Sequence, residues 1–553
     1  YQKKALENFI HNGGGFVGVH AASDTHYDWP WYGELVGAYF NGHPPGTQLA
    51  TLWIEDHDHP STAHFGDTFE INDEWYFWDR EPRVSAKVLM TLERQSHPAL
   101  VGFRGTDPEG DHPITWCKPF EGGRSWYTAL GHNDDVYYNE DFQKMLIAGI
   151  EWAARRIDGD CHYEIDEIVV EPIITGDVEE LLEPIALDFA ADGTIFFIER
   201  QGYVNMIHPE LGRLRLLEID VFDANEHGLM GIALEPGFDF QEKNHIWLFY
   251  SPANAETNHL SRYELKFDDN GIPYIDPNSK ELIFEVYTDR ATCCHPAGDI
   301  RFGPDGTLYI AIGDNTNPHA SSGYSPIDRR PGQEYGNAIR SSGNPMDLRG
   351  KILRINPDGT IPEDNPFVDD PNVHDAIWSI GHRNPYRIHI DPVTGWVLIG
   401  ENGPDANSYN ANRGPAGMTS WKLAWEPGLN YGWPFCHGPA IPYVDWDFAT
   451  NTPGELFDCS EMAPAFVWQT YAQTSQFPEL GTGGMSPISG VILRQPAPDA
   501  PYQWREHYLN HWYAADFSRH FIVRFHLEED GTKVPAHSHW YDHDFVPGPD
   551  YNN

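Results

Sequence analysis

The pattern of apolar and polar residues divides the chain into two parts. The first part contains a short continuous apolar run at 16–20 and a segment at 139–156 whose apolar residues recur with a 3.6-residue period. The run predicts a strand buried on both faces of a parallel sheet, and the period predicts an amphipathic helix. Together they predict an α/β layer architecture. The other elements predicted in this part are a helix at 3–11 and strands at 50–54 and 87–92.

From Ile165 onward, short alternating apolar segments are separated by Asp-Gly and Pro-Asp-Gly turns, which are hairpin signals. These units recur every ~40–70 residues with insertions, as expected of a repeat architecture. The recurrence favours a β-propeller over a single long sandwich, because a propeller buries sheet faces radially and leaves only short edges. The repeated segments are 186–202, 231–251, 299–314, 351–361, 387–403 and 508–531.

Length and charge restrict the classes of function. A chain of 553 residues is too long for one hydrophobic core and predicts two or more domains. The formal net charge is −47 at pH 7, so nucleic acid and anionic membranes are rejected as partners. We interpret this charge as adaptation to a salty environment or as simple solubility. No apolar run reaches the ~18 residues of a membrane span, so none is predicted.

The first part resembles the trehalose-utilisation (ThuA-like) family, a branch of the class I glutamine-amidotransferase-like fold. The resemblance covers nearly all of 1–155 and rests on GGGFVGVHAASDTHYDWPWYGELVGAYF, EDHDHPST, NDEWY and HPITWCKPFEGGRSWYTALGH. It implies an incomplete version of that fold, whose opening strand and helix are missing before Tyr1. Amidotransferases carry a cysteine nucleophile at the turn where this chain has His20, so the resemblance excludes glutamine hydrolysis by that route.

Four polar residues of this part are expected to converge at the ends of strands, where α/β sheets bind ligands. They are His20, Asp24, Glu74 and His132. Two histidines and two carboxylates suit a divalent metal or a polar sugar. The alternative is that all four are buried, hydrogen-bonded residues that fix loops. The histidines of the charged loop, His57 and His59, are predicted to lie on the surface.

In the second part, four loops that follow inner strands are expected to converge on the channel mouth of a propeller. They lie at 225–228, 294–295, 381–385 and 401–404. They carry a histidine that can take a hydroxyl proton, an arginine that can stabilise developing charge, and backbone carbonyls before a proline. Such carbonyls suit a hard cation such as calcium. The set is appropriate for oxidising an alcohol.

This part resembles the soluble quinoprotein glucose/sorbosone dehydrogenases. The resemblance covers about 165–545 and rests on HPAGDIRFGPDGTLYIAIGD, GKILRINPDGTIPEDNPF, SIGHRNPYRIHIDP, ENGPDANS and LNYGWP. It implies an all-β six-bladed propeller that binds pyrroloquinoline quinone (PQQ) and calcium. It also implies that His295 is the general base for hydride transfer, that Arg383 lies beside the quinone, and that the carbonyls of Gly403 and Pro404 ligate calcium.

Three further residues are assigned on the same resemblance, and two of them depart from the family's pattern. Asp314 and Arg519 are predicted to bind the cofactor, and Glu226 is predicted to be catalytic. Glu226 stands where the family often has glutamine. Ser518 stands where well-studied members have a lysine, with Arg519 next to it. The sequence ends where another hairpin would begin, so the last blade is expected to be incomplete.

The six cysteines are too few for a disulfide scaffold but can form isolated bridges. Cys436 and Cys459 flank a loop rich in proline and aspartate and are predicted to pair. For Cys293 and Cys294, a vicinal disulfide, two reduced thiols, or a bridge from one of them to Cys161 all stay open. An extracytoplasmic location fits both the vicinal bridge and a quinoprotein.

The sequence therefore predicts a ThuA-like α/β domain at 1–157, a linker with the first propeller strand at 158–178, and a propeller at 179–553. The predicted function is that of a periplasmic or secreted quinoprotein dehydrogenase. It would oxidise a sugar or polyol and pass electrons to an acceptor such as a cytochrome or a quinone. One alternative is a cofactor-free propeller that binds carbohydrate or serves assembly. Another is that the ThuA-like domain acts on a modified sugar while the propeller only binds.

Overall fold

The computed structural model describes residues 2–80, 82–100, 112–161, 181–296, 298–474, 477, 480–495, 509–526 and 541–542. The chain forms two compact units, Tyr1–Glu171 and Pro172–Asn553. None of the helices in these described ranges is long and apolar enough to cross a membrane.

The N-terminal unit is an α/β layer built on one six-stranded sheet. Its helices are α1 (Gln2–His11), α2 (Pro30–Val36), α3 (Asp134–Tyr138) and α4 (Glu140–Ala153). Its strands are β1 (Gly15–Val19), β2 (Phe40–Gly42), β3 (Gln48–Ile54), β4 (Thr68–Asp73), β5 (Phe77–Trp78), β6 (Lys87–Glu93), β7 (Pro113–Phe120) and β8 (Gly123–Thr128). The sheet order is β1-β8-β7-β6-β3-β4, and β2 pairs separately with β5. The α/β architecture predicted from the sequence is confirmed.

The sheet is mixed, which corrects the prediction for the apolar run at 16–20. β1 does pair in parallel with β8, but the other pairs of this sheet are antiparallel. β1 also lies at one end of the strand order, and only Gly18 of its five residues is buried. An apolar run therefore predicted a strand correctly but not its burial, because burial depends on the neighbours that the fold supplies.

Helix α4 shows how local sequence sets an element of this unit. The side chain of Asn139 caps its N-terminus by accepting hydrogen bonds from the backbone N–H groups of Asp141 and Phe142, both at 3.0 Å. Its buried face includes Phe142, Met145 and Trp152, whose spacing follows the helical period. Trp126, Trp152 and Trp116 belong to the core of the unit.

The second unit consists of antiparallel sheets that follow one another along the chain. The first sheet contains β9 (Pro184–Phe189), β10 (Ile195–Glu199), β11 (Tyr203–His208) and β12 (Gly212–Glu218). The second contains β13 (Leu229–Leu234), β14 (His245–Tyr250), β15 (Thr257–Phe267), β16 (Pro273–Ile275) and β17 (Glu281–Tyr287). The third contains β18 (Ile300–Phe302), β19 (Leu308–Ile312), β20 (Lys351–Ile355) and β21 (Ile377–Ile380).

Two further sheets complete the described part of this unit. The fourth contains β22 (Pro385–Ile390), β23 (Val397–Glu401), β24 (Met418–Ala424) and β29 (Val467–Thr470). The fifth contains β30 (Pro487–Ile492), β31 (His511–Asp516), β32 (Phe521–His526) and β33 (Tyr541–Asp542). Two small hairpins are inserted in the fourth sheet, β25 (Cys436–His437) with β26 (Ile441–Pro442), and β27 (Val444–Asp447) with β28 (Thr452–Leu456).

The sheets are arranged as blades of a propeller. The first strand of each sheet packs against the first strand of the next, in the order β9, β13, β18, β22, β30. This arrangement buries one sheet face against another around a centre, as the repeated hairpins predicted. Five blade sheets lie within the described residues. The six-blade count and the incomplete last blade stay predictions.

The six cysteines form three disulfides. Cys436 pairs with Cys459, which confirms the prediction from the sequence. Cys293 and Cys294 form the vicinal bridge, so the alternatives of two reduced thiols and of a bridge to Cys161 are wrong. Cys161 instead pairs with Cys117, across a sequence separation of 44 residues.

We expect the bridge between Cys117 and Cys161 to stabilise the N-terminal unit. It restricts the unfolded chain, so the double variant Cys117→Ala/Cys161→Ala should lower the free energy of unfolding of this unit by about 2–4 kcal/mol. Hydrogen–deuterium exchange of peptides from residues 1–161 measures the loss of protection. The matched control is Cys436→Ala/Cys459→Ala, which should leave exchange in these peptides unchanged. Unchanged protection in the first variant would contradict the prediction.

Candidate active site

His295 and Asp314 form a buried pair in the propeller unit. His295 lies on the loop before β18, and Asp314 follows the end of β19. The His295 Nδ1 lies 2.7 Å from the Asp314 Oδ1, and the two residues are 3% and 0% exposed. Because an ionised carboxylate only accepts, Nδ1 carries the proton, and Nε2 keeps a free lone pair. The geometry gives His295 the tautomer that a general base requires.

The Asp314 carboxylate is held in its anionic form. Burial by itself raises the pKa, but the charges of His295 and Arg383 and the hydrogen bonds from His295 and Trp433 outweigh it, so the pKa of Asp314 is lowered. The indole N–H of Trp433 donates to Oδ2 at 2.7 Å, and the backbone N–H of Thr316 donates to Oδ1 at 3.0 Å. The structure thus places Asp314, which the sequence assigned to cofactor binding, against the predicted base.

Glu226 contacts the backbone of the base loop. Its Oε2 accepts a hydrogen bond from the backbone N–H of His295 at 2.6 Å. The loop is further constrained by the vicinal disulfide that directly precedes His295. The backbone of His295 has φ +57°, a conformation that a residue with a side chain rarely adopts. A catalytic role for Glu226 stays a prediction, and the contact observed is one that positions His295.

Arg383 lies on the loop between β21 and β22 and is 4% exposed. Its backbone carbonyl accepts from the N–H of Asp314 at 2.7 Å, so the two loops are joined. Its guanidinium donates to the carbonyl of Asn402 at 3.1 Å and to Asp405 at 3.0 Å, and lies 6.0 Å from the centre of a Trp433 ring. The structure therefore brings His295, Asp314 and Arg383 together, although they lie up to 88 residues apart in the chain (383 − 295 = 88).

A buried ion network lies behind Arg383, and one of its members, Lys422, lies outside the loops that the sequence analysis singled out. The carboxylate of Glu401 contacts Lys422 Nζ at 2.7 Å and His382 Nδ1 at 2.8 Å, and accepts from the backbone N–H of Arg383 at 3.1 Å. Burial raises the pKa of Glu401, but Lys422 and His382 lower it far below its usual range. A signal for Lys422 existed in the sequence, since it is a single charge in the otherwise uncharged strand MTSWKLA.

Gly403 and Pro404 are buried and lie directly after β23 and Asn402. A side chain at position 403 would come within 1.4 Å of the carbonyl oxygen of Met418, so this close approach requires glycine. Within the described part of the chain, neither carbonyl oxygen accepts a hydrogen bond. The carbonyl oxygen of Pro404 packs closely against Gly417. The assignment of Gly403 and Pro404 as ligands of a cation stays a prediction.

Arg519 has a different environment. Its guanidinium donates to the backbone carbonyls of Thr470, Leu480 and Gly484 at 2.6, 2.6 and 2.8 Å. The neighbouring Ser518 Oγ pairs with Ser486 Oγ at 2.7 Å. No contact joins Arg519 to the loops of His295 and Arg383 among the described residues. Its assignment to cofactor binding stays a prediction without a supporting contact.

In the N-terminal unit, three of the four predicted pocket residues come together. Glu74 Oε2 lies 3.3 Å from His20 Nε2 and 3.2 Å from His132 Nδ1, and the two nitrogens are 3.3 Å apart. Asp24 is exposed and accepts from the hydroxyl of Tyr27 at 2.5 Å. No contact joins it to the other three within the described ranges.

The prediction that both loop histidines lie on the surface is half right. The side chain of His57 is 45% exposed, but His59 is only 1% exposed. The ring of His59 packs against Trp152, with ring centres 5.6 Å apart, and its Nδ1 lies 2.8 Å from Ser61 Oγ. Burial lowers the pKa of His59 to about 4. The loop folds back on the core, which its charged composition did not indicate.

Comparison with known families identifies both units. A family model described as Glucose / Sorbosone dehydrogenase matches residues 181–477, more than half of the chain. The chain belongs to this family. A second family model, ThuA (Trehalose utilisation), matches residues 1–153. Both resemblances inferred from the sequence motifs are confirmed.

Three curated relatives match the propeller part of this family member. The uncharacterized protein slr1608 of Synechocystis is 30% identical over 48% of this chain and 59% of its own length. The aldose sugar dehydrogenase YliI of Escherichia coli is 25% identical over 54% of this chain and 73% of its own length. The quinoprotein glucose dehydrogenase B of Acinetobacter calcoaceticus is 29% identical over 50% of this chain and 55% of its own length. The chain thus spans less than two thirds of the length of the first and third. Two of the three are named sugar dehydrogenases, as expected of a sugar oxidoreductase family.

The buried His382 makes the stability of the propeller unit depend on pH. Burial lowers its pKa to about 4, against the opposing effect of Glu401. In the unfolded chain a histidine titrates near pH ~6.5, so the unfolded state takes up the proton first as the pH falls. The free energy of unfolding should therefore decrease from about pH 6.5 to about 4, by up to about 1.4 kcal/mol per pH unit for this group.

Unfolding of the native chain and of His382→Gln by urea, at a series of pH values, measures this contribution. The variant keeps a side-chain donor for Glu401 but lacks the titrating ring, so its pH slope should be smaller. Ser379→Ala is the matched control, since it removes the partner of Nε2 at 2.9 Å and retains the ring. Equal slopes for the native chain and His382→Gln would contradict the prediction.

Proposed function

We propose that the chain is a PQQ- and calcium-dependent dehydrogenase that oxidises a sugar or a polyol. The observation that carries the proposal is the His295–Asp314 pair beside Arg383. The pair leaves one imidazole nitrogen free to take a proton, and the guanidinium of Arg383 is close enough to lower the pKa of Asp314.

The residues present fit the cofactor and its cation. The carbonyls of the buried residues Gly403 and Pro404 accept no hydrogen bond among the described residues, which suits a calcium ion. Two buried side-chain oxygens, Asn384 Oδ1 and Thr316 Oγ1, also have no partner among the described residues. Asn384 directly follows Arg383 in the sequence, and Thr316 lies two residues after Asp314. Unpaired buried polar atoms are costly, and a polar ligand would satisfy them.

The roles of the chain's own residues follow from these positions. PQQ, when bound, supplies a two-electron acceptor for the alcohol. His295 Nε2 takes the proton of the substrate hydroxyl, and Asp314 holds the ring in the required tautomer and stabilises the imidazolium that results. Arg383 stabilises negative charge on an acceptor oxygen, and the carbonyls of Gly403 and Pro404 hold the cation. The substrate leaves as a carbonyl compound.

The three disulfides favour an oxidising compartment, so we place the protein in the periplasm or outside the cell. Electrons would then pass to an acceptor such as a cytochrome or a quinone.

A second candidate is a propeller that has lost the cofactor and binds carbohydrate. The environment of Arg519 favours it, because the guanidinium is used by backbone carbonyls and Ser518 offers no positive charge. Under this reading the His295–Asp314 pair would only stabilise the loop.

Reconstitution of the full chain with PQQ and calcium, followed by dye reduction with a panel of aldoses and polyols, tests the proposal. We expect turnover by the native chain and a fall in kcat of about 10²–10⁴-fold in His295→Ala, because the general base is lost. Asp314→Asn should lower kcat with little change in KM and should alter the pH profile, because it removes the charge that supports the imidazolium. His319→Ala, an exposed histidine of the same unit, is the control that should keep full activity.

Binding of PQQ, followed by its absorbance spectrum, separates the two candidates. A chain that binds PQQ and calcium but keeps turnover in His295→Ala would contradict the assignment of the base. A chain that binds no PQQ would support the carbohydrate-binding module.

A further inference from the structure

Three ligand atoms in the N-terminal unit form a nearly regular triangle. They are His20 Nε2, His132 Nδ1 and Glu74 Oε2, and the sides measure 3.3, 3.2 and 3.3 Å. Four ligands placed tetrahedrally at zinc bond lengths of 2.0–2.1 Å are about 3.3 Å apart, whereas octahedral ligands at the same distance are about 2.9 Å apart. The triangle therefore has the size of one face of a tetrahedral metal site.

A hydrogen bond at Nδ1 orients the ring of His20. Its Nδ1 lies 2.7 Å from the backbone carbonyl of Ala129, and since a carbonyl only accepts, Nδ1 is the protonated nitrogen. Nε2 is then the nitrogen that faces the Glu74 carboxylate and His132 Nδ1. A cation at the centre would satisfy all three atoms.

The fold holds each ligand by a separate support. His20 follows β1 with φ +44° and is 6% exposed. Its ring packs against that of Tyr76, with ring centres 4.0 Å apart and planes tilted by 35°. The loop of His132 is fixed by Asp73, which accepts from the backbone N–H of His132 at 3.1 Å and from that of Gly131 at 2.7 Å. Strained and well-supported positions of this kind are typical of functional sites.

Glu74 is oriented by a residue outside the triangle. Its second oxygen, Oε1, lies 3.1 Å from His43 Nδ1, a nitrogen that also lies 2.8 Å from the carbonyl of Pro44, and Oε2 faces the two ligand histidines. Metal-binding carboxylates usually have such an outer partner. The triangle is accessible from solvent through His132, whose side chain is 43% exposed. The side chain of Glu74 is 10% exposed.

We propose that His20 Nε2, His132 Nδ1 and Glu74 Oε2 bind one divalent cation of the zinc class, with the fourth tetrahedral position open. Two imidazoles and one carboxylate are a ligand set of catalytic zinc sites, in which water or a substrate oxygen takes the fourth position. Asp24, the fourth residue predicted from the sequence, is not a ligand. The nitrogen donors select against calcium, so the site differs in chemistry from the cation proposed for the propeller.

The open position defines the ligand class of the site. A zinc-type cation there would polarise a carbonyl or lower the pKa of a bound water. The N-terminal unit would then bind small oxygen-rich molecules through a hydroxyl or carbonyl oxygen, independently of PQQ.

Metal titration of the full chain tests the proposal. The chain is stripped with a chelator and titrated with Zn²⁺, Co²⁺, Fe²⁺ or Ca²⁺, and bound metal is counted by mass spectrometry. We expect about one equivalent of zinc per chain, and intense visible bands of tetrahedral cobalt without a sulfur-to-cobalt band. His132→Ala and Glu74→Gln should weaken binding more than about 100-fold, and His43→Ala should weaken it about 10–100-fold as an outer partner.

Two controls locate the metal. His57→Ala changes an exposed histidine of the same unit, and His295→Ala changes the propeller unit, so both should bind zinc as the native chain does. His132 is partly exposed, so its substitution tests the site without removing the buried His20. The proposal fails if the native chain binds no stoichiometric zinc, if it prefers iron or calcium, or if His132→Ala and Glu74→Gln bind zinc normally. A sulfur-to-cobalt band would also overturn it, because it would mean that the Cys117–Cys161 disulfide is reduced and that its thiolates bind the metal.

Discussion

The geometry of the propeller site depends on one buried negative charge, the carboxylate of Glu401. It has no exposed surface, and an uncompensated charge in such a position would cost several kcal/mol or more. Three groups compensate this charge: Lys422 on β24, His382, and the backbone N–H of Arg383. These contacts hold the end of β23 together with β24 and with the loop before β22. The carbonyl of Arg383 then accepts from the N–H of Asp314 and extends the constraint to the base.

Each unit presents one histidine in the same way. His20 follows a strand and His295 precedes one, and both residues have a positive φ. In both, the Nδ1–H donates to an oxygen, so that Nε2 is left available. The oxygen differs. His295 donates to the carboxylate of Asp314, which supports a positively charged ring and suits a base. His20 donates to the carbonyl of Ala129, a hydrogen bond of the kind that orients a metal-binding histidine.

The sequence was informative where function depends on motifs and local periodicity. The segments around His295, Arg383 and Pro404 predicted the dehydrogenase family, and the repeated hairpins predicted the propeller, because turns and strand alternation are local properties. It was less informative about side-chain partners. The assignment of Asp314 and Arg519 to the cofactor stays a prediction, but the sequence did not indicate that Asp314 contacts His295 or that the guanidinium of Arg519 donates to backbone carbonyls. Contacts between residues distant in the chain cannot be obtained from spacing.

The sequence by itself thus determined the two families, the order of the units, most strand positions and the pairing of Cys436 with Cys459. Only the tertiary structure decided which polar residues meet: Glu74 with two histidines but not with Asp24, and Asp314 with the predicted base. It also decided that His59 is buried and that β1 is half-buried. The physical reason is that turns and periodicity arise within a few residues, whereas burial and charge pairing depend on the neighbours that the completed fold supplies.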